Sequence, residues 1–295
     1  MQNFQQGYIT AADGTRLAYR DYGTDTESDV NHALPLVCLP GLTRNARDFH
    51  KLALEISASQ TKPRRIVAID YRGRGLSDRV EDKASYTIVT ETQDLCALLD
   101  VLGIERAVFI GTSRGGLILH VLTSVAPERI AGLIFNDVGP ELPLQGLLDI
   151  QAYLKTAPRL SHWDDAVTHL TQIHGPAFPA LSDGDWQDMA RDLFVETDDG
   201  IVADCDPEIA RAFSAADLGA HPLPSLWEQF DQFPDVAMMV VRGENSTLLM
   251  SETVNAMQAR RPALNNVMAI GQGHAPLLHL GSVSRAIADF LKEAP

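Results

Sequence analysis

The residues of this chain best suited to chemistry are a serine between glycines, a histidine in a glycine-rich loop, and a carboxylate behind a buried strand. Ser113 lies in Gly111-Thr112-Ser113-Arg114-Gly115, which matches G-x-S-x-G. An apolar strand-like run precedes it and an apolar helix-like run follows. A nucleophile elbow requires that context: a tight strand-to-helix turn holds the serine hydroxyl at its tip. Glycine fits flanking positions too crowded for a side chain. The helix N-terminus behind the serine stabilises developing negative charge. Such a serine suits nucleophilic acyl transfer. The plainer alternative is a glycine-rich turn whose serine only caps the helix. A dinucleotide-binding loop fits less well, because the spacing is not G-x-G-x-x-G.

A nucleophilic serine needs a base, an acid to orient that base, and donors for the oxyanion. His274, in Gly271-Gln272-Gly273-His274-Ala275-Pro276, follows the last apolar strand and is the expected base. His50, His120 and His279 read as structural or exposed. The backbone N–H of Arg114 is one expected oxyanion donor. The other is the N–H of Leu42, in Leu39-Pro40-Gly41-Leu42-Thr43, which could also be an ordinary strand-end turn. The usual place for the acid is the loop 241–247, where Ser246 and Thr247 offer only hydroxyls. Asp137, at the end of the preceding strand, is the first candidate. Its competing role is to cap the first turn of the segment that follows. Glu244 is the alternative acid.

Short apolar strands alternate with amphipathic helices, as in an α/β chain with a parallel sheet. Residues 6–10 and 17–21 form a hairpin around Asp13-Gly14. Strands are expected over 34–39, 65–69, 107–110, 130–136, 236–241 and 265–270. Helices are expected over 49–57, 90–102 and 117–124. From 139 to about 224 the pattern turns mostly helical, over 145–156, 163–173, 184–194 and 206–213, with no strong apolar strand. This divides the chain into a core, 1–138 with 225–295, and a helical lid, 139–224. The lid could instead be a helical part of the same domain. Trp163, Trp186 and Trp227 either line an apolar pocket or pack the lid helices. The loop from Asp70 to Asp78 reads as a structural brace. The Arg114 side chain either clamps a substrate carboxylate or pairs with an acid, such as one in that loop.

The bulk numbers narrow the partners. A chain of 295 residues with 45% hydrophobic residues can bury a sizeable core. A net charge of −15 disfavours nucleic acid, and no basic stripe offsets it. No apolar run approaches the length of a membrane span. The first residues lack a signal-peptide pattern, so a cytoplasmic protein is expected. The three cysteines form no C-x-x-C pair and suggest neither a disulfide framework nor a metal site. A small-molecule substrate is the expected partner, and nothing specifies an oligomeric state.

Leu39-Pro40-Gly41-Leu42, the 70–78 loop, Gly111-Thr112-Ser113-Arg114-Gly115, Arg242-Gly243-Glu244-Asn245-Ser246 and Gly273-His274-Ala275-Pro276, in that order, resemble the α/β-hydrolase superfamily over nearly the whole chain. The resemblance implies a mostly parallel eight-stranded sheet with helices on both faces, a lid after the sixth strand, and no cofactor. Haloalkane dehalogenases and epoxide hydrolases of this fold carry an aspartate at the elbow, so Ser113 argues against both. An esterase acting through an acyl-enzyme is the leading expectation. Lactonases, amidases and carbon–carbon bond hydrolases remain open, as does a perhydrolase or cofactor-free oxygenase. A ligand-binding or sensor protein with weak turnover is the reading from a different class, motivated by the hydroxyls at 246 and 247.

Overall fold

The computed structural model describes residues 3–23, 33–59, 64–155 and 159–295. The first two residues, and Thr156 at the end of the expected helix 145–156, lie outside the described residues.

The main sheet has eight strands: β1 (Gln5–Thr10), β2 (Arg16–Tyr22), β3 (Leu36–Leu39), β4 (Ile66–Ile69), β5 (Ala107–Thr112), β6 (Ile130–Asn136), β9 (Ala237–Gly243) and β10 (Asn265–Ala269). Their spatial order is β1-β2-β4-β3-β5-β6-β9-β10. The pairs β1–β2 and β2–β4 are antiparallel, and every later pair is parallel. Strands buried on both faces read as continuous apolar runs, which is why these segments stand out in the sequence.

Alternate side chains of each strand enter separate cores, as the period of two requires. Val37, Leu39, Phe109 and Phe135 face α2 (Ile88–Val101), α3 (Arg114–Val125), α8 (Trp227–Gln232) and α9 (Ser251–Arg260). Leu36, Cys38, Ile110 and Ile134 face α1 (His50–Ser59) and α10 (Gly281–Glu293). The sheet therefore carries helices on both faces. Among the described residues no helix is long and apolar enough to cross a membrane.

Between β6 and α8 come α4 (Leu144–Leu154), α5 (Trp163–His174), α6 (Asp183–Leu193), the antiparallel hairpin β7 (Phe194–Thr197) and β8 (Gly200–Ala203), and α7 (Pro207–Ala215). The hairpin interrupts a stretch expected to be mostly helical. Asp199-Gly200 is the turn signal that marks it, and Gly200 has φ +104°. The strands are only four residues long and partly exposed, so their apolar signal is weak. The two ends of this inserted segment are tied together, since the Leu226 N–H donates to the Pro140 carbonyl at 2.7 Å.

The tryptophans pack and do not line the cavity described below. Trp163 and Trp186 belong to the core of the inserted segment. Trp227 lies outside that segment, against Phe230 and the main core.

Candidate active site

Three strand ends and one elbow converge at the C-terminal edge of the parallel sheet. β5 runs into α3 through Ser113, which has φ +50° and ψ −109°. Few L-residues adopt such a backbone, and it persists only where its surroundings fix it. The Ser113 N–H donates to the Asn136 carbonyl at 3.0 Å. A methyl group at Gly111 would stand 2.6 Å from the Gly116 nitrogen. One at Gly115 would stand 2.3 Å from the Leu39 carbonyl oxygen. Both glycines of G-x-S-x-G are thus required by backbone contact.

His274 comes from the loop after β10 and faces the serine. Its Nε2 lies 2.9 Å from Ser113 Oγ, and its Nδ1 lies 2.8 Å from Asp137 Oδ2. An ionised carboxylate only accepts, so Nδ1 carries the proton and Nε2 accepts from the serine hydroxyl. Asp137 is fully buried, with φ +54°, at the end of β6. Its Oδ1 accepts the Gly243 N–H at 2.8 Å, and its Oδ2 also accepts the Ser246 hydroxyl at 2.6 Å. Asp137 therefore does not cap the segment that follows it.

Ser246 is a site residue that sequence reasoning passed over. It occupies the loop where the acid is usual, and it donates to the carboxylate supplied from β6 instead. Its Oγ in turn accepts the N–H groups of Leu248 and Leu249, both at 3.1 Å. The signal was present in the sequence: a hydroxyl in the acid's usual loop together with an aspartate one strand earlier. Glu244 is not brought to the imidazole. Its Oε2 accepts the Gly271 N–H at 2.7 Å, where it braces the base of the histidine loop.

The N–H groups of Leu42 and Arg114 have no acceptor among the described residues, and both residues line the same cavity as Ser113. One buried carboxylate braces both positions. Glu91 in α2 accepts from Arg74 Nη1 at 2.8 Å and from Arg114 Nε at 2.5 Å, and Arg74 Nε holds the Leu42 carbonyl at 2.9 Å. The Arg114 side chain thus pairs with Glu91 rather than with an acid of the 70–78 loop. That loop braces as expected. Asp70 accepts the Ala46 and Leu76 N–H groups at 2.7 and 2.9 Å, and Arg72 grips Asp94 through two 2.7 Å hydrogen bonds.

The cavity encloses about 210 Å³. The inserted segment supplies much of its apolar lining, including Leu147, Ile150, Leu170, Ile173, Phe194 and Phe213. His174 also lines it, and burial, aided by the nearby charge of Arg44, pushes its imidazole down to about 4. At neutral pH it is an uncharged wall. Chemically, the His274 imidazole can take the Ser113 proton, the Asp137 carboxylate can steady the resulting imidazolium, and two free N–H groups are at hand for an oxyanion.

Comparison with known proteins agrees with the fold. Residues 35–292 match the family model described as alpha/beta hydrolase fold. The chain is 31% identical over 274 residues to the 3-hydroxybutyrate-oligomer hydrolase of Cupriavidus necator, covering 91% of this chain and 90% of that protein. It is 24% identical over 236 residues to the 2-(acetamidomethylene)succinate hydrolase of Mesorhizobium japonicum, covering 79% of each. Among solved structures it is similar to an alpha/beta hydrolase from Novosphingobium aromaticivorans, with a TM-score of 0.89 and 37% identity over the full length of both chains. The sheet order, the elbow and these matches agree: the chain belongs to the α/β-hydrolase family and is an enzyme that hydrolyses ester or related bonds.

Proposed function

We propose that the enzyme is a serine hydrolase that cleaves a carboxylic ester of a small to medium substrate through an acyl-enzyme on Ser113. The observation that carries this reading is the unbroken chain from Ser113 Oγ through His274 to Asp137, at 2.9 and 2.8 Å. His274 takes the serine proton as the oxygen attacks the ester carbonyl. The N–H groups of Leu42 and Arg114 hold the oxyanion. His274 then returns the proton to the leaving alcohol. Water, deprotonated by the same imidazole, attacks the acyl-enzyme, frees the acid and regenerates the serine. Asp137 keeps the imidazole in the useful tautomer and stabilises its cation. The inserted segment acts as a lid that excludes bulk water and selects the acyl group.

The similarity to a 3-hydroxybutyrate-oligomer hydrolase favours esters of short hydroxy acids within that class. The binding-protein alternative drew on the hydroxyls at 246 and 247. The contact between Asp137 and His274 supports the enzyme reading instead.

The test is labelling with a fluorophosphonate probe together with turnover of p-nitrophenyl acetate and butyrate. Wild type is expected to label and turn over, and Ser113→Ala to do neither. Asp137→Asn, with its fold retained by circular dichroism, is expected to lose about 10³- to 10⁴-fold in kcat. Labelling that survives in Ser113→Ala would remove the assignment of the nucleophile.

A further inference from the structure

Among the described residues, three that carry a charge line the cavity: Arg44, Asp48 and Arg114. Arg114 is engaged by Glu91 and by the Tyr86 carbonyl. Arg44 is different. Its Nε donates to Asp48 Oδ2 at 2.7 Å, and neither of its Nη groups has an acceptor among the described residues. Asp48 Oδ1 is buried and also lacks a hydrogen-bond partner. The guanidinium is therefore held in one plane with its outer edge uncommitted, in a cavity whose other walls are mainly apolar. The Arg44 side chain is half-buried, so this edge is open to an incoming group, and a planar pair of N–H groups matches a carboxylate in bidentate fashion.

The position relates this edge to the reaction centre. Arg44 follows the loop that carries Leu42, and its N–H turns back to the Gly41 carbonyl at 3.3 Å. A methyl group at Gly41 would lie 3.2 Å from Arg44 Cγ and 4.0 Å from Ser113 Cβ. His174 and His274 line the same cavity as Arg44. Arg44 Cγ and Ser113 Cβ thus flank the same glycine at the rim of the cavity. Asp48 orients the guanidinium and balances its charge when the cavity is empty. A second acid nearby, Asp192, is pushed up to about 7 by burial and by the charge of Asp48. At neutral pH it adds less than a full charge against an incoming anion.

We propose that Arg44 is the carboxylate anchor of the substrate pocket, so that the preferred substrate is an ester carrying a free carboxylate a few bonds from the scissile carbonyl. This rests on the serine-hydrolase reading above and narrows it to a substrate class. A short oligomer of a hydroxy acid has this chemistry: an internal ester and a terminal carboxylate.

The test compares kcat/KM for the linear dimer of 3-hydroxybutyrate with that for its methyl ester, which removes only the negative charge. Wild type is expected to prefer the free acid by about tenfold or more, the size of a charge-assisted hydrogen-bonded pair. In Arg44→Met the ratio is expected to fall to about one, and in Arg44→Lys to lie between. A measurement on wild type alone guards against a misfolded variant. Free 3-hydroxybutyrate should inhibit p-nitrophenyl butyrate hydrolysis at about tenfold lower concentration than the neutral 3-hydroxybutyramide. Equal inhibition by the two, or a wild-type ratio near one while p-nitrophenyl butyrate is turned over, overturns the anchor and leaves the serine hydrolase standing. A ratio that Arg44→Met does not change does the same. Wild type that neither labels with fluorophosphonate nor hydrolyses any of these esters overturns both.

Discussion

A carboxylate can reach the far nitrogen of a catalytic imidazole from either of two neighbouring strand ends, and the choice made at one constrains the other. Here the carboxylate comes from β6, and the loop after β9 supplies Ser246 in its place. Asp137 Oδ2 receives two donors, His274 Nδ1 at 2.8 Å and Ser246 Oγ at 2.6 Å, while Oδ1 receives the Gly243 N–H. Three donors thus satisfy the hydrogen-bonding capacity of a fully buried carboxylate. Ser246→Ala removes one donor and leaves the Leu248 and Leu249 N–H groups without their acceptor. Its expected cost is about 1–3 kcal/mol in stability and about a tenfold fall in kcat as the carboxylate loosens, read by denaturant unfolding and by p-nitrophenyl butyrate turnover. A kcat that does not change would make Ser246 structural only. At this scale Ser113 and His274 were legible in the sequence, because each sits in a motif whose glycines announce a turn. Asp137 was one of two candidates. The sequence offers a carboxylate at both 137 and 244, and only the positive φ at 137 and the course of β9 decide which one faces the ring.

At the scale of elements, the elbow is a packing solution as much as a chemical one. α3 starts so close to β3 that a side-chain carbon at Gly115 would press into the Leu39 carbonyl oxygen at 2.3 Å. Backbone cannot yield there without moving either Ser113 or the loop that carries Leu42. Gly115→Ala is therefore expected to destabilise the fold by about 3 kcal/mol or more, seen as a lowered urea midpoint, and to reduce fluorophosphonate labelling in the fraction that folds. An alanine variant of wild-type stability and labelling would show that the turn has slack. The parallel strands were legible because burial on both faces leaves nothing but apolar residues. The β7–β8 hairpin was not. β7 ends in exposed residues and β8 is mostly half-buried, and the hairpin is held by pairing with itself, by the Leu160–Ile201 bridge and by Phe194 and Ile201 in the segment's core.

Over the whole molecule, the inserted segment is rooted in the part that carries the main sheet at several points. The Asn45 Nδ2 and Arg47 Nη2 groups donate to the Asp192 carbonyl at 2.9 and 2.8 Å, and Arg47 Nη1 pairs with Asp204 at 2.6 Å. On the other side the Ala180 N–H donates to the Gly271 carbonyl at 3.1 Å, and Leu277 packs into the segment's own core. These contacts join it to the Leu42 loop and to the His274 loop at once. Calorimetry is therefore expected to give one cooperative transition, with calorimetric and van't Hoff enthalpies equal. Two resolved transitions would show that the segment folds and opens as a separate unit. The sequence by itself determined the sheet, the elbow serine, the histidine loop and the break after β6, because each depends on short-range patterns of apolar residues and glycines. The tertiary structure decided which carboxylate completes the chain to Ser113, that Glu91 braces both Leu42 and Arg114, and that Arg44 opens into the cavity. Those facts depend on contacts between residues far apart in the chain, such as Asp137 with Ser246 and His274, and local pattern carries no record of such distances.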